Sequence, residues 1–276
     1  MMLLDLLSLP FAMPSIPRAM AMLLTEFGRP QPDLRRIDQI ISTDPALAIR
    51  VLQAANASVF DLSGQIHSVA EALAVLRLNQ LHAMVKASAS AVSFRAVPGM
   101  RLPQFWAYSL DTAKMSRSLA GLVKLNKQAA FTCGLIHAVG ELALRMALPR
   151  ALTLDTVVPL FDIKRARAER KVLGFCYSQV SAGLARQWHL PPIMVDALEY
   201  QHAPFDNDVY EPLAGVIHLA VWCARARQAG LTANELTVTF PAEVGEVMGL
   251  DIDLVLQQDP IDWSVPAGPT SLASPR

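Results

Sequence analysis

Apolar positions recur along this chain with a helical period. Ile16, Met20, Leu23, Leu24 and Phe27 fall on one stripe, and Gly28 follows as a stop. Leu34, Ile37, Ile40 and Ile41 mark a short second helix. Asp44-Pro45 supplies a side-chain cap with proline at the first helical position, and ALAIRVLQAAN follows. Ser68 and Glu71 have capping-box spacing ahead of Ala72, Val75 and Leu76. A long helix is expected from Gln104 to Val123 and another from Gln128 to Leu148, ended by Pro149. Further helices are expected at Ser178–Trp188, Pro192–His202, Glu211–Ala229, Ala242–Met248 and Ile252–Gln257. Only LTVTF (236–240) alternates as a strand would. The pattern predicts an all-α fold, an irregular bundle of about a dozen helices.

Composition agrees with a helical core. The 276 residues are 53% hydrophobic and 17% charged, and aromatic residues, common in strands, are only 7%. Disorder needs low hydrophobicity, so most of the length must be folded. The Pro/Ser-rich end, 258–276, is the exception and is expected to be disordered. Lys and Arg number 24 against 24 Asp and Glu, which argues against broad binding to nucleic-acid phosphates. Charge-free stretches such as Val172–Ala185 fall short of the roughly 20 residues a membrane span needs. The start, MMLLDLLSLPFAMPSIPR, has Asp5 and no base before Arg18, unlike a signal peptide. Cys133, Cys176 and Cys223 form no CxxC pair, and their odd number suits buried, reduced thiols in the cytoplasm.

Several segments resemble a known family. Leu9-Pro10, IISTDPALAIRVLQAAN (40–56) and IHSVAEALAVLRL (66–78) resemble the opening half of HDOD domains. FWAYSL (105–110), FTCGLIHAVGELAL (131–144) and LGFCYSQVSAGLARQWHLPPIMVDALEYQH (173–202) look like that family's divergent HD half. The resemblance spans roughly residues 9 to 257. It implies one unit over 1–257, with an N-terminal helical part at about 9–100 and an HD-domain-like helical core at about 101–257. Such domains are bacterial signalling modules related to HD phosphohydrolases and HD-GYP cyclic-dinucleotide phosphodiesterases, and are regarded as having lost the hydrolase chemistry.

The resemblance also implies where a metal would have sat. HD hydrolases hold a divalent cation with a histidine on one helix, an adjacent His-Asp pair on the next, and later His or Asp ligands; the cation activates water. Tyr108 stands at the first of these positions, and the pair reads His137-Ala138, without its carboxylate. Tyr177 replaces the next histidine, Ser181 stands where glycine is usual, and the closing pair is Gln201-His202. The lysine often following the pair is Glu141. Two imidazoles without an aligned carboxylate suit Mg²⁺ or Mn²⁺ poorly. A zinc site of His137 and His202 completed by Glu141 is the competing reading, since His137 and Glu141 are four apart on a helix. The preferred reading is a vestigial, metal-free polar cluster of Tyr108, His137, Ala138, Glu141, Tyr177, Gln201 and His202, with tyrosine and glutamine paired to imidazole.

Other patterns carry less. No GxGxxG, Walker A, HExxH or GxSxG is present. KRARAERK (164–171) reads as a charged, solvated surface segment rather than a nucleic-acid site, because no aromatics interleave. His67, His82, His189 and His218 have no companions at metal spacing and are expected at the surface or core edge. The function expected is a non-enzymatic regulatory module without cofactor. It would act through other signalling proteins or a small regulatory ligand in the degenerate pocket, with homodimerisation left open. A residual phosphohydrolase or cyclic-dinucleotide phosphodiesterase is the alternative.

Overall fold

The computed structural model describes residues 2–57, 63–90, 96–258 and 260. Seventeen α-helices follow one another among the described residues, with short 3-10 turns and no strand. α1 is Leu3–Leu7, α2 Pro17–Phe27, α3 Leu34–Ile41, α4 Pro45–Ala55, α5 Val69–Val75 and α6 Leu78–Ser90. Then come α7 (Leu102–Leu122), α8 (Lys127–Ile136), α9 (Val139–Ala147), α10 (Pro149–Thr153) and α11 (Arg165–Leu173). The rest are α12 (Tyr177–Gln187), α13 (Pro192–Tyr200), α14 (Pro212–Ala229), α15 (Ala233–Thr239), α16 (Ala242–Met248) and α17 (Ile252–Gln257).

The caps read from the sequence are built. Asp44 Oδ1 accepts the backbone N–H groups of Ala46 and Leu47, and its Oδ2 reaches across to accept from Ile16. One carboxylate thus starts α4 and ties the entry of α2 to it; burial raises its pKa to about 6. Ser68 Oγ accepts Glu71 N–H at the start of α5, and Glu71 reaches one residue beyond the cap to accept His67 N–H, so the helix start is capped without a reciprocal box. Asn56, fully buried, accepts from Gln65 and Ile66 and donates to Leu52 and Ile66, pinning the end of α4 to the incoming loop.

One apolar cluster runs from α1 to α17. The long α7 packs on α8 and α14, α12 lies between α9 and α13, and α4 joins the N-terminal helices to α8. All three cysteines are buried, and none forms a disulfide among the described residues. Lys127–Ala147 is long and apolar enough to cross a membrane, but 89% of its apolar window is buried against other helices, as in a core element.

Three expectations are corrected. The alternation at LTVTF gives no strand: residues 236–239 lie in α15, which a Thr232–Glu235 capping box starts, and Phe240 follows as its C-cap. The helix expected from Gln128 to Leu148 breaks at His137-Ala138. The His137 carbonyl accepts from Ser181 Oγ and Gln201 Nε2, both at 3.0 Å, and Ser181 Oγ accepts Gly140 N–H at 2.9 Å. Side chains from α12 and the end of α13 thus satisfy backbone groups that the break releases. KRARAERK is the third case: it forms most of α11, and Arg165 and Glu169 on it are completely buried. The end expected to be disordered lies, apart from residues 258 and 260, outside the described residues.

Candidate functional site

The HD-like helices bring two polar clusters side by side, and each has its own electrostatics. The first forms around Arg165. Its Nε donates to Glu169 Oε1 at 2.8 Å and Glu141 Oε1 at 3.2 Å, and its Nη1 donates to Asp155 Oδ1 at 2.9 Å and the Val158 carbonyl. Arg145 clasps both Asp155 oxygens, at 2.6 and 2.8 Å. Burial, with Glu169 alongside, pushes the Glu141 carboxyl well above the usual range, against the pull of Arg165 and Arg145. Asp155 behaves oppositely: burial opposes its charge, but Arg145 and Arg165 hold its carboxyl below the ordinary value. Two guanidinium groups, Arg145 and Arg165, thus face the three carboxyl groups of Glu141, Asp155 and Glu169. Glu169 also accepts Tyr177 N–H at 2.7 Å, which fixes the start of α12.

That network answers the zinc reading. Glu141 turns to Arg165 and Arg145 instead of joining His137, and the helix break removes the regular four-residue spacing on which the pairing depended. Among the described residues no three His, Cys, Asp or Glu side chains converge as a metal site. The donor set does not fit a hydrolytic cation.

The second cluster lines a cleft between α12, α13 and α14. His137 is fully buried; its Nδ1 donates to the Gly134 carbonyl at 2.7 Å, and its Nε2 has no partner. Burial depresses its pKa to about 3, so the ring is neutral. Tyr108 meets it edge to face, ring centres 4.9 Å apart, and leans on Phe161. Gln201 donates to the His137 and Leu198 carbonyls, and its Oε1 is unpaired. His202 Nδ1 lies 3.0 Å from Ser178 Oγ; its Nε2 is unpaired, and burial lowers its pKa to about 4. The cluster is therefore assembled, but not by the expected tyrosine–imidazole and glutamine–imidazole hydrogen bonds. Tyr108 touches His137 through ring contact, and Gln201 binds the His137 backbone.

The hydroxyls of Tyr108 and Tyr177 turn to Arg225. Its Nη2 donates to Tyr177 at 3.2 Å, and Tyr108 hydrogen-bonds the same guanidinium. Ala138, Glu141 and Phe161 line the small void around these three groups. Sequence reasoning missed Arg225. The signal was available: His218, Val221, Trp222, Arg225 and Ala229 repeat at helical spacing along α14, and all five line the cleft. His218, expected at the core edge without company, donates through Nδ1 to the Gln201 carbonyl at 2.8 Å and borders the same cavity as His202.

Comparison with known proteins follows this geometry. The MmoQ response regulator of Methylococcus capsulatus has a similar structure, with a TM-score of 0.70 and 23% identity over 90% of this chain and 98% of that one. An HDOD domain protein of unknown function from Geobacter sulfurreducens gives 0.54 and 19%, covering 93% and 91%. An uncharacterized protein of Treponema pallidum is 22% identical over 75% of this chain; the chain spans 41% of its length. Residues 13–204, which run from the N-terminal helices through the kink at His137 to the Gln201-His202 pair, match the HDOD domain model. With more than half its length inside that match, the chain belongs to the HDOD domain family.

Proposed function

We propose that this chain is a non-enzymatic, cytoplasmic signal-transduction module. Its output is carried by contacts with other signalling proteins or by a small regulatory ligand held in the degenerate cleft. The observation that carries this reading is the placement of Arg225. The two positions matched to histidine ligands, Tyr108 and Tyr177, both give their hydroxyls to one guanidinium. A side-chain cation fixed there repels a metal ion and offers no open coordination position for an activated water. The carboxylate of the old pair is Ala138, and Glu141 is held in the Arg165 network. A MmoQ-like response regulator shares the frame, which is in keeping with a regulatory role.

The test is hydrolysis. Full-length protein is incubated with bis(p-nitrophenyl) phosphate and with a cyclic dinucleotide, each with Mn²⁺ and Mg²⁺. The expected outcome is turnover equal to that of His137→Ala. Metal-dependent turnover that His137→Ala abolishes would overturn the reading and restore the phosphohydrolase alternative.

A further inference from the structure

The cleft that Arg225 lines is a cavity of about 230 Å³, bordered also by Tyr177, Gln201, His202, His218 and Trp222. Arg225 is a cation with no carboxylate at ion-pair distance among the described residues; its partners there are two neutral phenols. Its buried Nε also lacks a hydrogen-bond partner. The cavity's one lining carboxylate, Asp162, accepts the Lys164 backbone N–H at 2.7 Å through Oδ1. Buried polar atoms are nearly always paired, so this group of orphans calls for a ligand or ordered water. A permanent charge buried without a counter-charge calls for an anion.

The other lining groups suit the same guest. His202, held through Nδ1 by Ser178, can take the tautomer that leaves Nε2–H free to donate. The indole of Trp222 is braced by Thr239 Oγ1 at 3.2 Å and by Phe240, edge to face at 5.3 Å, giving the cavity a rigid flat wall. The volume equals about eight waters at ~30 Å³ each, the scale of a benzene ring bearing one acidic group.

We infer that this cavity is a receptor for a small organic anion, with its carboxylate or phosphate on Arg225 and His202 and its flat apolar body against Trp222. The inference rests on the non-enzymatic reading above and names the ligand class that reading leaves open.

The test uses full-length protein with three probes of one shape: benzoate, phenyl phosphate and uncharged benzamide. Binding is followed by thermal shift and by ligand-observed NMR. Saturable binding of benzoate or phenyl phosphate is expected, with benzamide weaker by about tenfold or more, the scale of one charge-assisted hydrogen bond. The tighter of the two acids identifies the head group. Arg225→Gln should weaken the acids by about tenfold or more and leave benzamide unchanged, whereas Arg225→Lys keeps part of the preference. If Arg225→Gln does not fold, His202→Leu, expected to weaken the acids selectively, and the acid-to-amide ratio in the unaltered protein decide. Equal affinity for benzamide, no saturation by any probe, or acid binding indifferent to both substitutions would overturn the proposal. Acid binding that requires added Mn²⁺ would overturn it together with the non-enzymatic reading. Absence of binding alongside absence of hydrolysis overturns the proposal alone.

Discussion

Two buried polar clusters meet at Tyr177, and they differ in how they are balanced. Around Arg165 two guanidinium groups are matched with three carboxyl groups, and nearly every polar atom has a partner. The exceptions, Glu141 Oε2 and Arg145 Nε, face each other at 3.7 Å. Around Arg225 one positive charge stands without a carboxylate at ion-pair distance among the described residues, and His137, Gln201, His202 and Arg225 each leave an atom unpaired. The closed cluster has the chemistry of a structural rivet. The open one has the chemistry of a receptor. Only substitutions and titrations that affect the two sides unequally can test that difference.

The largest effect belongs to the closed side. Arg165→Leu strands Glu169 and Asp155, and breaking a buried ion network in this way costs about 3–5 kcal/mol, measurable by urea denaturation. Arg225→Met removes a charge that has no ion partner and should change stability by less than about 1 kcal/mol in the same assay. Similar costs for the two would erase the distinction. Gly140→Ala comes next. A β-carbon there would lie 2.0 Å from the Tyr177 carbonyl, so α9 and α12 would have to part, at about 3 kcal/mol. The same change would loosen both clusters, because Tyr177 N–H and Ser181 sit on that contact.

Acid should act through the open side. His137 and His202 have native pKa values of about 3 and about 4, below the unfolded 6.5, so the unfolded chain binds more protons as pH falls. Their neutral-form stability is complete above pH 6.5 and is lost on acidification. By pH 5 the loss is about 2 kcal/mol for each ring. Glu141 and Asp44, with raised native pKa values, work in the opposite sense and offset part of this, while His218, also lowered by burial, adds to it. The check is the difference between two proteins: between pH 7 and 5 the unaltered protein should lose about 2 kcal/mol more than His137→Asn on denaturation. The smallest effect is Glu141→Gln, less than about 1 kcal/mol at pH 7, because burial favours the neutral form of that carboxyl and glutamine keeps its shape; Glu169→Gln should cost more.

The sequence made most of the closed fold visible and little of the open site. Caps are local, so Asp44-Pro45 and Ser68–Glu71 placed α4 and α5 correctly. The break at His137 was hidden because the run from Ala129 to Leu144 is apolar on every side, and the groups that stabilise the break, Ser181 and Gln201, are distant in sequence. Charge counting misread Arg165 and Glu169 because their partners, Glu141 and Asp155, come from other elements. The resemblance located Tyr108, His137, Tyr177, Gln201 and His202. It could not supply Arg225, which lies on α14 and matches none of the ligand positions the resemblance implies.

The claim beneath both halves of this account is that a guanidinium holds the ground a metal would need. Titration of metal-stripped, full-length protein with Mn²⁺, read by electron paramagnetic resonance of the free ion, tests it directly. The account predicts no saturable uptake at micromolar protein and ion, for the unaltered chain and for His137→Ala alike. Uptake of one or two equivalents that His137→Ala abolishes would contradict it.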